Sequence, residues 1–528
     1  MAATYDVIVV GAGSAGCAAA YRLAVRGARV LLLEAGGRDR HLAMRVPIGF
    51  ASLLGEGPTN WGYVSEPEPH LDGLRVPLPR GKVLGGCSSI NGMVYVRGQR
   101  EDYDAWAAAG NPGWSHDELL PLFRRSVRHW AGASEHHGGD GPLAVSPVAR
   151  RLPVGEAFIA AAEQAGIPRN ADFNGATQEG VGYFEATIER GRRHSSARAF
   201  LGRPRPAGLE VVSGFHVTRL VIEGGRAVAV EGRRRGKGAI ERLTADEIVL
   251  SAGAFNSPQL LELSGIGQAR RLEALDIPVR ADLPGVGEHL QDHANSYLYF
   301  ATRDCETYYE QVRGRRLPRT LFDYLARRGG IFANPAAQIG AFLRLDPEAS
   351  RPDAQIHFAA AAARADDTGR LTPIPGVCAS ICQLRPGSRG SVHLRSARPT
   401  DAPVIRLNYL SHEDDRRFQL AAVRRLREIF AQPSLAGLLD GELAPLAGLD
   451  DDAALLAGIR RNLESVHHPA GSCRMGTGPD AVVDSALRVH GIDGLRVADA
   501  SIMPRLISGN THAASVMIGE KVADLIEQ

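Results

Sequence analysis

Two histidine-bearing stretches near the C-terminus carry the side chains best suited to chemistry: His467-His468-Pro469, and His512 at the end of residues 508–512. Imidazole titrates near neutral pH and can take a proton from a substrate as a bond to carbon breaks. A single such histidine is more often a satisfied core or capping residue. Two, each flanked by Gly and Asn, point to a site. At the other end of the chain, Gly11-Ala12-Gly13-Ser14-Ala15-Gly16 follows the apolar run Val7 to Val10 and precedes a helical pattern. Gly11 permits the tight turn, Gly13 lets backbone approach a pyrophosphate, and Gly16 lets helix and strand pack closely. A second strand, 29–33, ends at Glu34, where a carboxylate takes ribose hydroxyls. Together these predict a dinucleotide site. Glu34 would repel a 2′-phosphate, which disfavours NADP and leaves NAD and FAD open.

The elements that must position these groups follow from the pattern. Residues 79–97 hold paired glycines and serines and an Asn-Gly step between apolar flanks, a backbone folded tightly against a flat or charged partner. Residues 209–250 have strand character, with a hairpin tip at Arg233 to Gly238. The run that ends at Leu250 meets the small residues Ser251, Ala252 and Gly253, which repeats the logic of the first turn. From 296 to 450 the pattern changes to strands such as 354–360, 377–384 and 391–394, with helices near 321–328 and 413–430. This is an α+β lobe rather than a β-α-β rhythm. The expected architecture is an α/β dinucleotide-binding (Rossmann-like) domain interleaved with an α+β substrate domain built on an antiparallel sheet.

Composition narrows the classes. A net charge of +2 over 528 residues gives no electrostatic case for nucleic acid. No run reaches eighteen apolar residues, so no transmembrane helix is expected. A strand starting at Tyr5 leaves no room for a signal peptide, and a cytoplasmic location is the expectation. The six cysteines then read as thiols. Neither they nor the adjacent His136 and His137 have ligand spacing, so no metal is expected.

Residues 81–91, 251–261 with 264–267, and 468–476 with 508–512 resemble the signatures of the glucose-methanol-choline (GMC) oxidoreductases, a resemblance that spans nearly the whole chain. It implies FAD as the dinucleotide. Some members link FAD covalently through a histidine at the position of Ile90, so non-covalent FAD is implied here. Segments 1–150, 196–295 and 461–528 would form the FAD domain, and 151–195 with 296–460 the substrate domain. The expected FAD contacts are Gly11, Gly13, Ser14, Ala15, Gly16, Glu34 and Ala35 in the first turn, and Val83, Gly86, Ser88, Asn91, Gly92 and Val94 in the second stretch. Val217, Ala252, Gly253, Asp499, Ala500, Asn510 and Thr511 complete them.

The resemblance selects His468 as the base that takes an alcohol proton while hydride passes to flavin N5. His512 is expected to bond the alcohol oxygen and Gln338 to face the substrate, while His467 either faces the substrate or points away into the structure. The implied substrate is a neutral primary alcohol (aromatic, furanic or aliphatic) made into its aldehyde, with oxygen or a quinone or dye as acceptor. A choline or sugar dehydrogenase and a hydroxynitrile lyase are the alternatives. Gln338, where choline-oxidising members carry Glu, weakens the choline reading. Oligomeric state is left open.

Overall fold

The computed structural model of the chain describes residues 5–202, 204–235, 238–365 and 371–526. The first apolar run forms β1 (Tyr5–Val10), buried from Val7 onward, because β-branched side chains suit a strand covered on both faces. The chain turns at Gly11 (φ +102°), where a Cβ would come within 2.5 Å of the Ser251 carbonyl oxygen, and enters α1 (Ser14–Val25). A Cβ on Gly16 would sit 1.9 Å from the Gly11 oxygen. Only glycine lets α1 lie this close to its own turn. The next strand, β2 (Val30–Glu34), runs parallel to β1.

The chain continues through β3 (Gly180–Tyr183), β4 (Leu209–Ser213), β5 (Phe215–Glu223), β6 (Arg226–Arg234), β7 (Glu241–Leu250) and β8 (Ala294–Thr302). Then come α2 (Arg316–Arg327), β9 (Ile339–Leu343), β10 (Ala354–Ala359), β11 (Gly376–Gln383), α3 (Glu413–Phe430), β12 (Leu439–Glu442) and β13 (Glu464–Ser465). The last two elements labelled here are β14 (Leu495–Val497) and α4 (His512–Ile526). One sheet has the order β4-β2-β1-β7-β6-β5, with β14 also on β7. Its β4, β2, β1, β7 and β14 pairings are parallel, and the β5-β6-β7 hairpins are antiparallel. Residues 236 and 237, in the tip between β6 and β7, lie outside the described residues.

The other large sheet has the order β12-β8-β11-β10-β9-β3, with β13 also on β8, and every pairing in it is antiparallel. Its period-2 alternation divides two jobs. Leu298, Phe300 and Phe358 enter the core, where Phe300 stacks on Phe430 of α3 and Phe158 on Phe358, both at 4.2 Å. Asn295, Tyr297, Tyr299, His357, Cys378 and Ser380 face the other way, into a cavity. Since β13 belongs to this sheet, the chain crosses back to the first sheet after Ser465 rather than at residue 461.

The C-terminal helix is fixed by packing and charge. α4 lies on α1, and a Cβ on Gly519 would be 2.2 Å from the Ala15 oxygen. Glu520, fully buried, takes the Nε of both Arg22 and Arg125 at 2.7 Å. A buried carboxylate requires such partners. Their pull sets residues 508–512 beside the first glycine turn.

Candidate active site

A continuous cavity of about 850 Å³ runs from the first glycine turn to His468. All the residues expected to hold the cofactor line it except Gly16 and Val83. Gly16 serves the helix-strand contact described above. Val83 is fully buried in an apolar cluster with Met44, Leu53 and Ile90, so its side chain packs the loop that carries Gly86 and Ser88. Ile90 offers a buried aliphatic chain and no nucleophile.

The cavity's walls fit a dinucleotide. Glu34 accepts from the amides of Ala12 (3.0 Å) and Gly36 (2.8 Å) and still has lone pairs for hydroxyl donors. Burial raises its carboxyl to about 7. No side chain caps the start of α1, leaving its first amides for an anion. A Cβ on Gly86 would meet the Gly13 Cα at 2.8 Å, while Gly253 has open space before it. Asp499 acts on the protein itself: its carboxylate accepts from Gly253 N (2.8 Å), Ser257 Oγ (2.6 Å) and Ser501 N (2.8 Å), which shapes the second small-residue turn.

At the far end, His468 is buried within a defined hydrogen-bond chain. His293 Nε2 lies 3.1 Å from the Leu384 carbonyl and so carries the proton, since a carbonyl only accepts. Burial holds the His293 pKa at about 4, so the ring is neutral and its Nδ1 is an acceptor. That Nδ1 is 3.0 Å from His468 Nδ1, which must therefore carry hydrogen. His468 Nε2 is left with a bare lone pair, met by Asn510 Nδ2 at 3.1 Å. Gln355 Nε2 donates to Asn510 Oδ1 at 3.1 Å and fixes that amide. Below the ring, Asp292 accepts from His468 N (2.7 Å), His293 N (2.9 Å) and Tyr409 Oη (2.6 Å). Burial first, then the neighbouring His293, His357 and His467, hold His468 well below its ordinary pKa. It is a neutral base.

The expected pairing of His468 with His512 is corrected. His512 opens α4, and its Nδ1 lies 3.0 Å from Ser14 Oγ at the glycine turn, while Asn510 reaches His468. The reason is placement: Asn510 lies ahead of the helix in the loop, whereas His512 is held by α4 against α1. Gln338 is likewise corrected, since it is absent from the cavity lining and is buried just ahead of β9. His467 does line the cavity. It adopts φ +65°, and its carbonyl accepts from Arg80 Nη2 at 2.8 Å. His293, His357 and Gln355 were not singled out by motif. A His or Gln at alternate positions of a strand, as in Gln355 and His357, was the available signal.

The substrate side of the cavity holds Tyr297 and Tyr299, stacked at 5.8 Å, and Glu464. The Glu464 carboxylate has no hydrogen bond or ion pair among the described residues, and desolvation raises its pKa. Also among the described residues, no three His, Cys, Asp or Glu side chains gather to hold a metal, and no helix is long and apolar enough to cross a membrane. His137 instead stacks on His129 at 3.9 Å and meets Asp172 through Nε2 at 2.7 Å.

Residues 5–295 and 386–519 match the N- and C-terminal models of a family described as GMC oxidoreductase. The chain is 41% identical to an alcohol dehydrogenase [acceptor] of Pseudomonas putida, over 99% of this chain and 95% of the relative. It is 42% identical to an oxygen-dependent choline dehydrogenase of Rhizobium johnstonii, with the same coverage. The solved pyridoxine 4-oxidase of Mesorbium loti superposes with a TM-score of 0.89 at 33% identity, over 99% of both chains.

Proposed function

The chain belongs to the GMC family of FAD-dependent oxidoreductases acting on CH–OH donors, and from that premise we propose that it converts a primary alcohol to its aldehyde with His468 as the base. The observation that carries this reading is the bare Nε2 of His468, oriented by His293 and faced by Asn510. Bound FAD, non-covalent in this proposal, supplies the acceptor for the hydride that leaves the alcohol carbon. His468 Nε2 takes the hydroxyl proton as that bond breaks. Asn510 Nδ2 is free to turn its hydrogen bond from His468 to the alcohol oxygen, which fixes the carbon in line. The buried surroundings of His468 exclude water and keep the ring neutral until it accepts the proton. Electrons pass on to oxygen or to a quinone or dye.

For the substrate we favour a neutral primary alcohol, aromatic, furanic or aliphatic, since small and apolar residues such as Ala336, Ala361 and Ile48 make much of the wall. A second reading, an alcohol bearing an ammonium group, is supported by the unpaired Glu464 carboxylate beside two stacked tyrosines. Anaerobic mixing with neutral and cationic alcohols decides between them. Bleaching of the flavin band by neutral alcohols supports the first, and bleaching by amino alcohols alone supports the second. No bleaching by any alcohol would remove both.

A further inference from the structure

The helix α2 presents apolar side chains to solvent. Thr320 and Tyr324, four residues apart, make its buried contacts, while Leu321, Phe322 and Leu325 are 40%, 60% and 65% exposed. At roughly 100° per residue these three fall on one arc of about 100°, a strip rather than scattered singles. Six arginines against two acids, Glu310 and Asp323, lie between Tyr308 and Gly330. Arg315 and Arg319 form no ion pair among the described residues. At the end of the helix, Arg328 lines a second cavity, of about 480 Å³, with Arg190, Arg192, Arg193 and Arg198. Arg193 is 1% exposed, and its Nε and Nη2 have no hydrogen-bond partner. Arg193 Nη1 donates to the Asn91 carbonyl at 2.6 Å, which holds this residue inside the fold, and the exposed Arg190 and Arg192 are the guanidinium groups of this wall that meet solvent. The acid on that wall, Glu189, is already paired with Arg128 and His194, and Arg198 is paired with Asp39, which leaves Arg190, Arg192 and Arg328 as the arginines of this wall for an anionic surface.

We propose that this face docks on an anionic phospholipid surface. α2 lies in the interface plane, with Leu321, Phe322 and Leu325 in the acyl boundary and the arginines on phosphate oxygens. A second copy of the chain fits poorly, since a two-fold contact would set the same arginines against themselves. A nucleic acid leaves the apolar strip uncovered. In sequence, α2 is bracketed by Tyr308 and Pro335, both of which line the main cavity. Docking would thus anchor the segment that joins two parts of the cavity wall to a bilayer, where apolar alcohols and quinones dissolve.

Sedimentation of the FAD-loaded protein with vesicles tests the proposal without any reading of activity. Phosphatidylglycerol/phosphatidylcholine vesicles at low salt are expected to carry the protein down at least about tenfold better than phosphatidylcholine alone, and high salt to release it. The variant L321Q/F322Q/L325Q and, separately, R315E/R319E should each lower the partition about tenfold or more, with melting temperature and flavin absorbance kept. If the first fails to fold, the second decides. No binding to the anionic vesicles, or binding unchanged in the charge variant, overturns the proposal. So does wild-type self-association that the apolar variant abolishes without any vesicle binding.

Discussion

His293 Nδ1 lies 3.0 Å from His468 Nδ1, and because His293 Nε2 is committed to the Leu384 carbonyl, the hydrogen between the two rings belongs to His468. His293 is thus a positioning residue that sets the tautomer of the base. Replacing it with Phe removes the acceptor and lets His468 hold its proton on Nε2. The rate of anaerobic flavin reduction should fall about tenfold or more, with its pH profile displaced. His293→Asn, which restores an acceptor, should recover part of the loss. An unchanged rate and profile in His293→Phe would remove the role.

Asn510 and His512 should separate by readout. Asn510→Ala should slow flavin reduction by about 10- to 100-fold with FAD retained, because it lies on His468. His512→Ala should loosen FAD, because it lies on Ser14 at the glycine turn. The loaded fraction of His512→Ala should keep its reduction rate to within a few-fold, as measured by stopped flow.

Glu34 joins two turns by accepting from Ala12 and Gly36. Glu34→Ala leaves both amides unpaired. FAD affinity, followed by the return of free-flavin fluorescence, should weaken about tenfold or more. Retention equal to the parent protein would show that the carboxylate acts on neither turn nor ribose.

What the sequence made legible was local. The glycine turn and Glu34 could be read from spacing because their chemistry is set within a few residues of chain, whereas His468 was singled out by the resemblance of residues 468–476 to the family's signature. The partners of His468 could be read in neither way. His293 is 175 residues away on the path into β8, and Gln355 on β10 acts through Asn510, so only the antiparallel sheet brings them together. The assignment of His512 as the partner of His468 failed for a related reason. Two residues of separation at a helix start is enough to send one side chain to the base and the other to Ser14, and the resemblance put the second residue of the pair at His512. Gln338 was weighed as the place for a substrate charge, yet the free carboxylate of the cavity is Glu464, on a different strand.

The buried histidines give stability a pH slope. Burial holds His293 and His357 at about 4 against an ordinary 6.5, so between those values the unfolded chain binds protons that the folded chain refuses. Stability from these groups is complete above about pH 6.5 and declines as pH falls toward 4. Glu34, raised to about 7 by burial, works in the opposite direction in the same window. A comparison isolates the effect: in His357→Leu the drop in melting temperature between pH 7 and pH 5 should be smaller than in the parent. Equal drops would contradict the neutral, buried state of His357.

The account turns on His468, and single-turnover reduction under anaerobic conditions tests it most directly. With a substrate alcohol identified by flavin bleaching, His468→Ala loaded with FAD should bleach about 10²-fold or more slowly than the parent, while its oxidised spectrum and FAD content stay the same. A His468→Ala protein that holds FAD and is reduced at the parent rate would contradict the assignment of His468 as the base.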